Sequence, residues 1–241
     1  MRATASTDRE HEVLALWEAT VGRDRWQRDD ALLGIAASVP RGLGARNLGL
    51  LALRNTIFNR QWSLRSACPA CATECEFTVD GVALAEQLGA QPIEQCTTIE
   101  WEGRSLTARA PTIDDLIAIA GVADSADAAR ALLARCLEGA EGLAIDDLAL
   151  GGPAVGGLER HLEALDPAAT IAFQLRCVGC SHEWPSLLDV GEALTAELQR
   201  AAERTLIEVD ALARAYGWTE AEVLQLSPVR RAAYLQLVEA G

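Results

Sequence analysis

Two Cys-x-x-Cys motifs constrain this chain more than any other feature of its sequence. The first comprises Cys68 and Cys71, and the second comprises Cys177 and Cys180. Each lies beside an alternating apolar run, so each is expected at the tip of a β-hairpin. One such turn directs two thiolates at one metal, and two turns supply the four sulfurs that a structural zinc ion prefers. The sequence therefore predicts one structural zinc held by these four cysteines.

The long separation of the two motifs predicts a split zinc ribbon. Residues 72–176 lie between them, whereas roughly 15–20 residues separate the pairs in the usual pattern. The simplest interpretation is a subdomain inserted between the two metal-binding turns. A redox Cys-x-x-Cys and two unrelated pairs of buried thiols remain as alternatives, although neither motif opens a helix as a redox motif would. A catalytic metal is not expected, because four thiolates leave no open coordination position.

Three cysteines are surplus to this set. Cys75 and Cys136 fall on apolar faces, where a free cysteine behaves as a small hydrophobic residue, and Cys96 has no assigned role. Cys75 is also a candidate competing ligand. His182, two residues after Cys180, is an alternative ligand or a solvated loop residue.

Hydrophobic periodicity predicts an α+β fold that is predominantly helical, with a small antiparallel split zinc-ribbon module. Predicted helices cover residues 10–20, 29–38, 45–58, 82–88, 189–216, 219–226 and 227–239, and residues 111–140 are predicted to be helical, with one helix at 125–137. Predicted hairpins cover 62–80, 97–110 with a turn at 102–103, and 170–188. Four regions follow: an N-terminal helical region at 1–60, the split ribbon at 61–81 plus 168–188, an inserted mixed α/β subdomain at 82–167, and a C-terminal helical region at 189–241.

Residues 139–157 hold six glycines and one proline, which predicts a mobile link. A phosphate-binding loop is an alternative interpretation of the glycine-rich segment 151–157. That segment lacks the Lys and the Ser or Thr of such a loop, and no clear strand precedes it, so a flexible loop is the preferred interpretation.

The charged-residue composition of the chain limits which kinds of molecule it is expected to bind. All 21 basic residues are Arg, and 35 acidic residues give a net charge of −14. Nucleic acid is therefore not expected as a partner, because duplex binding depends on Lys and Arg replacing counterions. No apolar run approaches the roughly 20 residues of a membrane span, and the polar segment Met1–Glu12 lacks a signal-peptide core. We expect a cytoplasmic protein with no membrane partner.

No pattern in the sequence indicates an enzyme. The three His residues, His11, His161 and His182, are scattered, and no G-x-S-x-G, HExxH or dinucleotide-binding motif is present. Catalysis requires converging nucleophiles, bases or carboxylates. We therefore expect no catalytic residues.

The C-terminal residues 216–238 contain the pattern Tyr-x-Trp-x-Glu-x-Glu-Val-Leu-x-Leu-x-x-x-Arg-Arg-x-x-Tyr-Leu. This pattern resembles the C-terminal signature of the baseplate hub assembly chaperones of contractile-tailed phages and of related contractile injection systems. Residues 50–58, the first Cys-x-x-Cys motif and residues 109–116 are similar to the larger, zinc-ribbon-bearing members. The small phage members lack a split ribbon.

The resemblance implies a non-enzymatic protein that helps to build a baseplate or hub, either as a chaperone or as a structural component incorporated in the tail particle. Its implied partners are baseplate or hub proteins, and its implied contact residues are Trp218, Arg230, Arg231 and Tyr234. Packing of Trp218 and Tyr234 in a core, and a solvated position for the arginine pair, are the competing interpretations. The alternative function is a zinc-ribbon adaptor in transcription or nucleic-acid binding, which the acidic charge disfavours.

Overall fold

The computed structural model describes residues 4–36, 39–91, 94, 96–101, 104–138 and 153–240. Within these ranges more than half of the residues are helical and the strands form small antiparallel sheets. The predicted α+β, predominantly helical class is therefore confirmed. The chain divides into two compact units: unit 1 is Met1–Ala37, Leu53–Asn59 and Asp189–Gly241, and unit 2 is Ser38–Ala52 and Arg60–Leu188.

Unit 1 is helical, and its longest helix buries an apolar stripe. Its helices are α1 (Thr4–Thr20), α2 (Arg25–Ala36), the end of α3 (Leu43–Ile57), α8 (Val190–Tyr216), α9 (Glu220–Leu224) and α10 (Pro228–Ala240). The stripe of α8 contains Leu194, Leu198 and Ala202, each fully buried. These positions recur every four residues, which places them on one face of the helix. No helix among the described residues has the length and apolar character needed to cross a membrane.

Local capping residues determine where several of these helices begin and end. Asp189 accepts a hydrogen bond from the Glu192 N–H at the start of α8, and Gly217 ends the helix with a φ of 72°. Thr219 and Glu222 form the predicted capping box of α9. The second predicted helix begins earlier than expected, because the Asp24 carboxylate accepts from the Gln27 N–H at 2.9 Å.

Unit 2 contains the two hairpins that carry the cysteine motifs. They consist of β1 (Gln61–Ala67) with β2 (Glu74–Asp80), and of β6 (Ile171–Arg176) with β7 (Glu183–Leu188). Alternate residues of each hairpin are buried, as for Trp62 and Leu64 in β1. Both predicted hairpins are confirmed.

The remainder of unit 2 packs helices against a three-stranded antiparallel sheet. The elements are α4 (Gly81–Gly89), β3 (Cys96–Trp101), β4 (Arg104–Arg109), α5 (Ile113–Ile119), α6 (Ser125–Cys136), β5 (Leu137–Glu138) and α7 (Pro153–Leu165). Its core joins Ile99, Leu106 and Ala108 of the sheet to Leu133 of α6 and Leu158 of α7. The predicted inserted region and both hairpins therefore fall in one compact unit.

Two sequence expectations in this region were wrong. Leu137 does not end a helix but belongs to β5, where it pairs with Ala108; no local pattern marks a strand of two residues. Residues 153–157 are not part of a link or phosphate loop but form the first turns of α7, which begins at Pro153, a residue favoured at that position. The predicted turn at 102–103 and residues 139–152 of the predicted link lie outside the described residues.

The start of α3 admits no side chain at Gly44. The Gly44 N–H donates to Asp166 Oδ2 at 2.8 Å, and a Cβ at Gly44 would lie 1.8 Å from Asp166 Oδ1. Asp166 is buried, so its carboxylate cannot swing into water to make room.

We expect Gly44→Ala to destabilise the protein by about 1–2 kcal/mol, because the clash outweighs the gain in helix propensity. Gly42→Ala is the matched control, since a Cβ there meets nothing within 4 Å. Urea unfolding followed by tryptophan fluorescence measures both. Equal midpoints for the two variants would contradict the predicted clash.

Candidate metal centre

The two cysteine motifs form turns of the same backbone shape. The Cys68 N–H donates to the Thr73 carbonyl at 2.9 Å, and the Cys177 N–H donates to the His182 carbonyl at 2.8 Å. Each turn contains one non-glycine residue in the left-handed region, Ala72 (φ 58°) or Ser181 (φ 59°). This conformation reverses the chain directly after the second cysteine of each motif and returns it into the next strand.

The two hairpins match residue by residue, and corresponding residues are 109 positions apart in the sequence. The closing strand pair Ala67–Glu74 of the first hairpin corresponds to Arg176–Glu183 of the second. Asp80 caps the helix after the first hairpin, and Asp189 caps the helix after the second. The chain therefore contains one hairpin–turn–Asp-capped helix motif twice, and each copy supplies two cysteines.

The four sulfur atoms of the two turns converge on one point. Cys68 Sγ lies 3.7 Å from Cys180 Sγ, and Cys71 Sγ lies 3.6 Å from Cys177 Sγ. All four sulfur atoms lie within 4.8 Å of one another. Tetrahedral coordination at 2.3 Å requires sulfur separations of about 3.8 Å. The four side chains therefore fit one tetrahedral ion, although 105 residues separate the two motifs in the chain.

The pairing of the sulfurs is reciprocal. Each of the two sulfur contacts joins the first cysteine of one motif to the second cysteine of the other. Burial follows the same rule, since Cys68 and Cys177 are buried while Cys71 and Cys180 are exposed. The candidate centre therefore has an inner pair and an outer pair of sulfurs, with one member of each pair from each hairpin.

Hydrogen bonds favour the thiolate, the form that binds metal, at two of the four sulfurs, Cys71 and Cys177. Backbone N–H groups of Cys180 and Gly179 lower the pKa of the Cys177 thiol to about 6, and the Gly179 nitrogen lies 3.3 Å from Cys177 Sγ. The Thr73 hydroxyl, 3.2 Å from Cys71 Sγ, lowers the pKa of the Cys71 thiol. At Cys180 the direction is opposite, because the backbone contact with His182 is outweighed by hydrogen bonding to the Cys71 thiol and by burial, which raise the pKa of the thiol.

Contacts between the hairpins hold the two turns opposite each other. The Phe77 and Phe173 rings pack with centroids 5.4 Å apart, and the Ser186 hydroxyl donates to the Ser66 hydroxyl at 2.8 Å. Trp184 packs with the buried sulfurs of Cys68 and Cys177. This small apolar cluster is the floor of the candidate centre.

The three cysteines outside the four-sulfur group, and His182, differ in burial. Cys75 is buried beside the centre, Cys136 is buried elsewhere in unit 2, and Cys96 is exposed. The expectation that Cys75 and Cys136 lie on apolar faces is confirmed by their burial. The imidazole of His182 is exposed and stacks at 6.3 Å on the Trp184 ring, outside the four-sulfur group.

The predicted partner residues lie in unit 1 around the end of α8. The rings of Tyr216, Trp218 and Tyr234 pack together with centroid separations of 4.7 to 5.6 Å. Trp218 and Tyr234 are half-buried, so each is part core and part surface, whereas Arg230 is exposed. This aromatic corner presents residue types that are enriched in interface hot spots.

Arg231 is buried, unlike the other three predicted partner residues. Its side chain is buried, and its guanidinium donates to Glu208 at 2.6 Å and to Glu10 at 2.7 Å. It therefore ties α10 to α8 and α1 within unit 1. The accessible members of the predicted partner set are Trp218, Arg230 and Tyr234.

Sequence reasoning identified all four cysteines but missed the groups that position them. Thr73, Gly179 and the paired caps Asp80 and Asp189 were not singled out. The constant offset between the two motifs was the available signal, because it repeats the cysteines, a glutamate three residues later and the capping aspartate.

No family model, no curated protein and no solved structure matches this chain.

Proposed function

We propose that the four cysteines bind one zinc ion and that this ion is a structural cross-link. The observation that supports it is the convergence of four sulfurs, from turns 105 residues apart in the chain, at separations suited to tetrahedral coordination. A closed four-thiolate shell has no free position for substrate or water. Zinc would therefore join the two hairpins of unit 2 rather than catalyse a reaction.

A redox role fits the same residues less well. A redox dithiol needs one cysteine pair, with one thiol activated at the start of a helix. Here each motif follows a strand, and sulfurs of different motifs lie within 3.7 Å of each other. The reciprocal geometry favours a shared ion.

Metal analysis of the purified full chain tests this assignment. We expect about one zinc per chain and its loss in Cys68→Ser, with Cys96→Ser as the control because Cys96 is exposed and outside the group. Full zinc content in Cys68→Ser would refute the centre. Wild-type protein that binds no zinc after reconstitution under reducing conditions would refute it as well.

We propose further that the chain is a non-enzymatic assembly factor or structural component of the baseplate or hub of a phage-like contractile tail. The C-terminal sequence resemblance supports this role. The exposed Arg230 and the half-buried aromatic corner of unit 1 are compatible with a docking surface for a hub or baseplate protein. Zinc would keep unit 2 folded while unit 1 makes this contact.

A tagged pull-down from the native host, with sheared particles separated from the soluble fraction, tests the assembly role. Hub or baseplate proteins in the soluble pull-down, with the chain absent from particles, would identify a chaperone. The presence of the chain in particles would identify a structural component. Recovery of polymerase or nucleic acid without tail proteins would instead favour the zinc-ribbon adaptor.

A charge-reversal variant tests whether Arg230 contacts the partner protein. We expect Arg230→Glu to reduce recovery of the partner, while Arg200→Glu, an exposed arginine on α8, leaves it unchanged. Equal recovery with both variants would remove the α10 surface from the proposal.

A further inference from the structure

A fifth cysteine touches the candidate metal centre from inside the fold. Cys75 lies on β2 and is 8% exposed. It belongs to the same buried cluster as Cys68, Cys177 and Trp184. Its thiol donates to the Thr73 carbonyl at 3.8 Å. Cys75 therefore packs in the cluster that contains the inner pair of sulfurs.

The hairpin architecture does not require a thiol at this position. In the repeated motif, the residue that corresponds to Cys75 is Trp184 of β7. Both residues are buried and fill the floor of the centre. An indole performs the packing role in one copy, so packing alone does not explain a cysteine in the other.

The outer pair of sulfurs is the vulnerable side of the centre. Cys71 and Cys180 are exposed, and Val178 between the cysteines of the second turn is 87% exposed. Oxidants and alkylating agents reach exposed thiolates first. Loss of one outer sulfur would leave zinc with three thiolates and an open position that a neighbouring thiol can fill.

We propose that Cys75 is a reserve ligand that replaces Cys71 or Cys180 when either outer thiolate is lost. The proposal rests on the zinc centre proposed above. When Cys75 coordinates, its thiol gives its proton to solvent and its sulfur completes a four-thiolate shell. The centre would thereby retain its cross-link after damage to its exposed face.

Cobalt substitution of the full chain tests the proposal, because thiolate-to-cobalt charge-transfer absorbance rises with the number of coordinating thiolates. We expect Cys180→Ala to bind cobalt with the four-thiolate intensity of the wild type. The double variant Cys180→Ala/Cys75→Ala should show three-thiolate intensity. Its cobalt affinity should fall by at least the roughly 10- to 100-fold seen when only a hydrogen-bonding neighbour of a ligand is lost.

Cys180→Ala/Cys136→Ala is the matched control, because Cys136 is also buried but lies outside the cluster around the centre. It should keep the four-thiolate spectrum. Three-thiolate intensity in the single variant Cys180→Ala, unchanged by Cys75→Ala, would overturn the reserve role while leaving the zinc centre intact. Failure of the wild type to bind cobalt or zinc would instead overturn the centre itself.

A second measurement covers the case in which the double variant does not fold. Zinc-loaded Cys96→Ser and Cys96→Ser/Cys75→Ala are treated with limiting alkylating agent, because the exposed Cys96 thiol would otherwise react first, and modification and zinc content are read by native mass spectrometry. In Cys96→Ser, which keeps Cys75, the first modification should leave zinc bound. In Cys96→Ser/Cys75→Ala it should release zinc. Release at the first modification in both proteins would refute the reserve role.

Discussion

Cys68→Ser should lower the melting temperature of the zinc-loaded protein by about 10 °C, the largest effect expected of a single substitution here. A tightly bound ligand at about 1,000 times its Kd contributes about 4 kcal/mol to folding. In a chain of this size each kcal/mol corresponds to roughly 2–4 °C. Two-stranded sheets are marginal by themselves, and each cysteine hairpin is such a sheet. The ion would be their strongest mutual restraint.

Differential scanning calorimetry with and without a chelator separates metal loss from loss of packing. The chelator should lower the melting temperature of the wild type toward that of Cys68→Ser and leave the variant unchanged. Cys96→Ser should behave as the wild type, because that thiol is exposed and outside the sulfur group. An equal melting temperature for Cys68→Ser and the wild type would contradict the cross-link.

Asp115→Asn should destabilise the protein by about 2 kcal/mol, because a buried carboxylate loses charge-assisted hydrogen bonds to two partly exposed guanidinium groups. The Asp115 carboxylate is 1% exposed. It accepts from Arg109 at 2.7 and 2.9 Å, from Arg135 at 2.9 Å, and from the Thr112 N–H and hydroxyl at 2.9 Å each. One carboxylate therefore joins the end of β4, the start of α5 and the end of α6. An amide cannot satisfy both guanidinium groups.

Asp114→Asn is the matched control, one residue away on the same helix. Asp114 pairs with Arg41, and both side chains are substantially exposed. Exposed pairs contribute about 0–1 kcal/mol. Urea unfolding at neutral pH should therefore separate the two variants clearly. Equal losses would mean that the buried network does not stabilise unit 2.

The Asp115 contribution should depend on pH. The Arg109 guanidinium holds the pKa of the Asp115 carboxyl well below its ordinary value of 3.8. A carboxyl whose folded pKa is lowered stabilises the fold above its unfolded pKa and loses that contribution as the pH falls toward its folded pKa. The stability difference between wild type and Asp115→Asn should be full at pH 7 and shrink below about pH 4. A difference that is constant from pH 7 to pH 3 would contradict the ionic origin.

The elements of secondary structure were largely predictable because their signals are local. The hairpins at 62–80 and 170–188 follow from alternating apolar residues interrupted by a turn, and α9 follows from the Thr219–Glu222 capping box. The start of α7 was missed because a glycine-rich segment precedes and enters it, and propensity alone favours a loop there. Its apolar residues, such as Leu158 and Leu165, are buried in unit 2, and this packing outweighs the weak local preference.

The candidate centre was predictable in composition but not in arrangement. Four cysteines in two identical motifs indicate a four-sulfur site whatever their separation. Which sulfurs lie inside and which outside, and the presence of Cys75 beneath them, depend on how the two hairpins pack. The Arg231 side chain shows the same limit: its neighbour Arg230 has the same chemistry, and only the fold buries one and exposes the other.

The sequence by itself determined the cysteine turns, the strand alternation and the helix caps, because each depends on residues within a few positions of one another. Only the tertiary structure decided which distant residues meet: Cys68 with Cys180, Asp115 with Arg135, and Arg231 with Glu10. Such pairs are brought together by the packing of entire elements, which must offset the entropy of closing the long segments between them. That balance is a property of the entire fold, so no local pattern contains it.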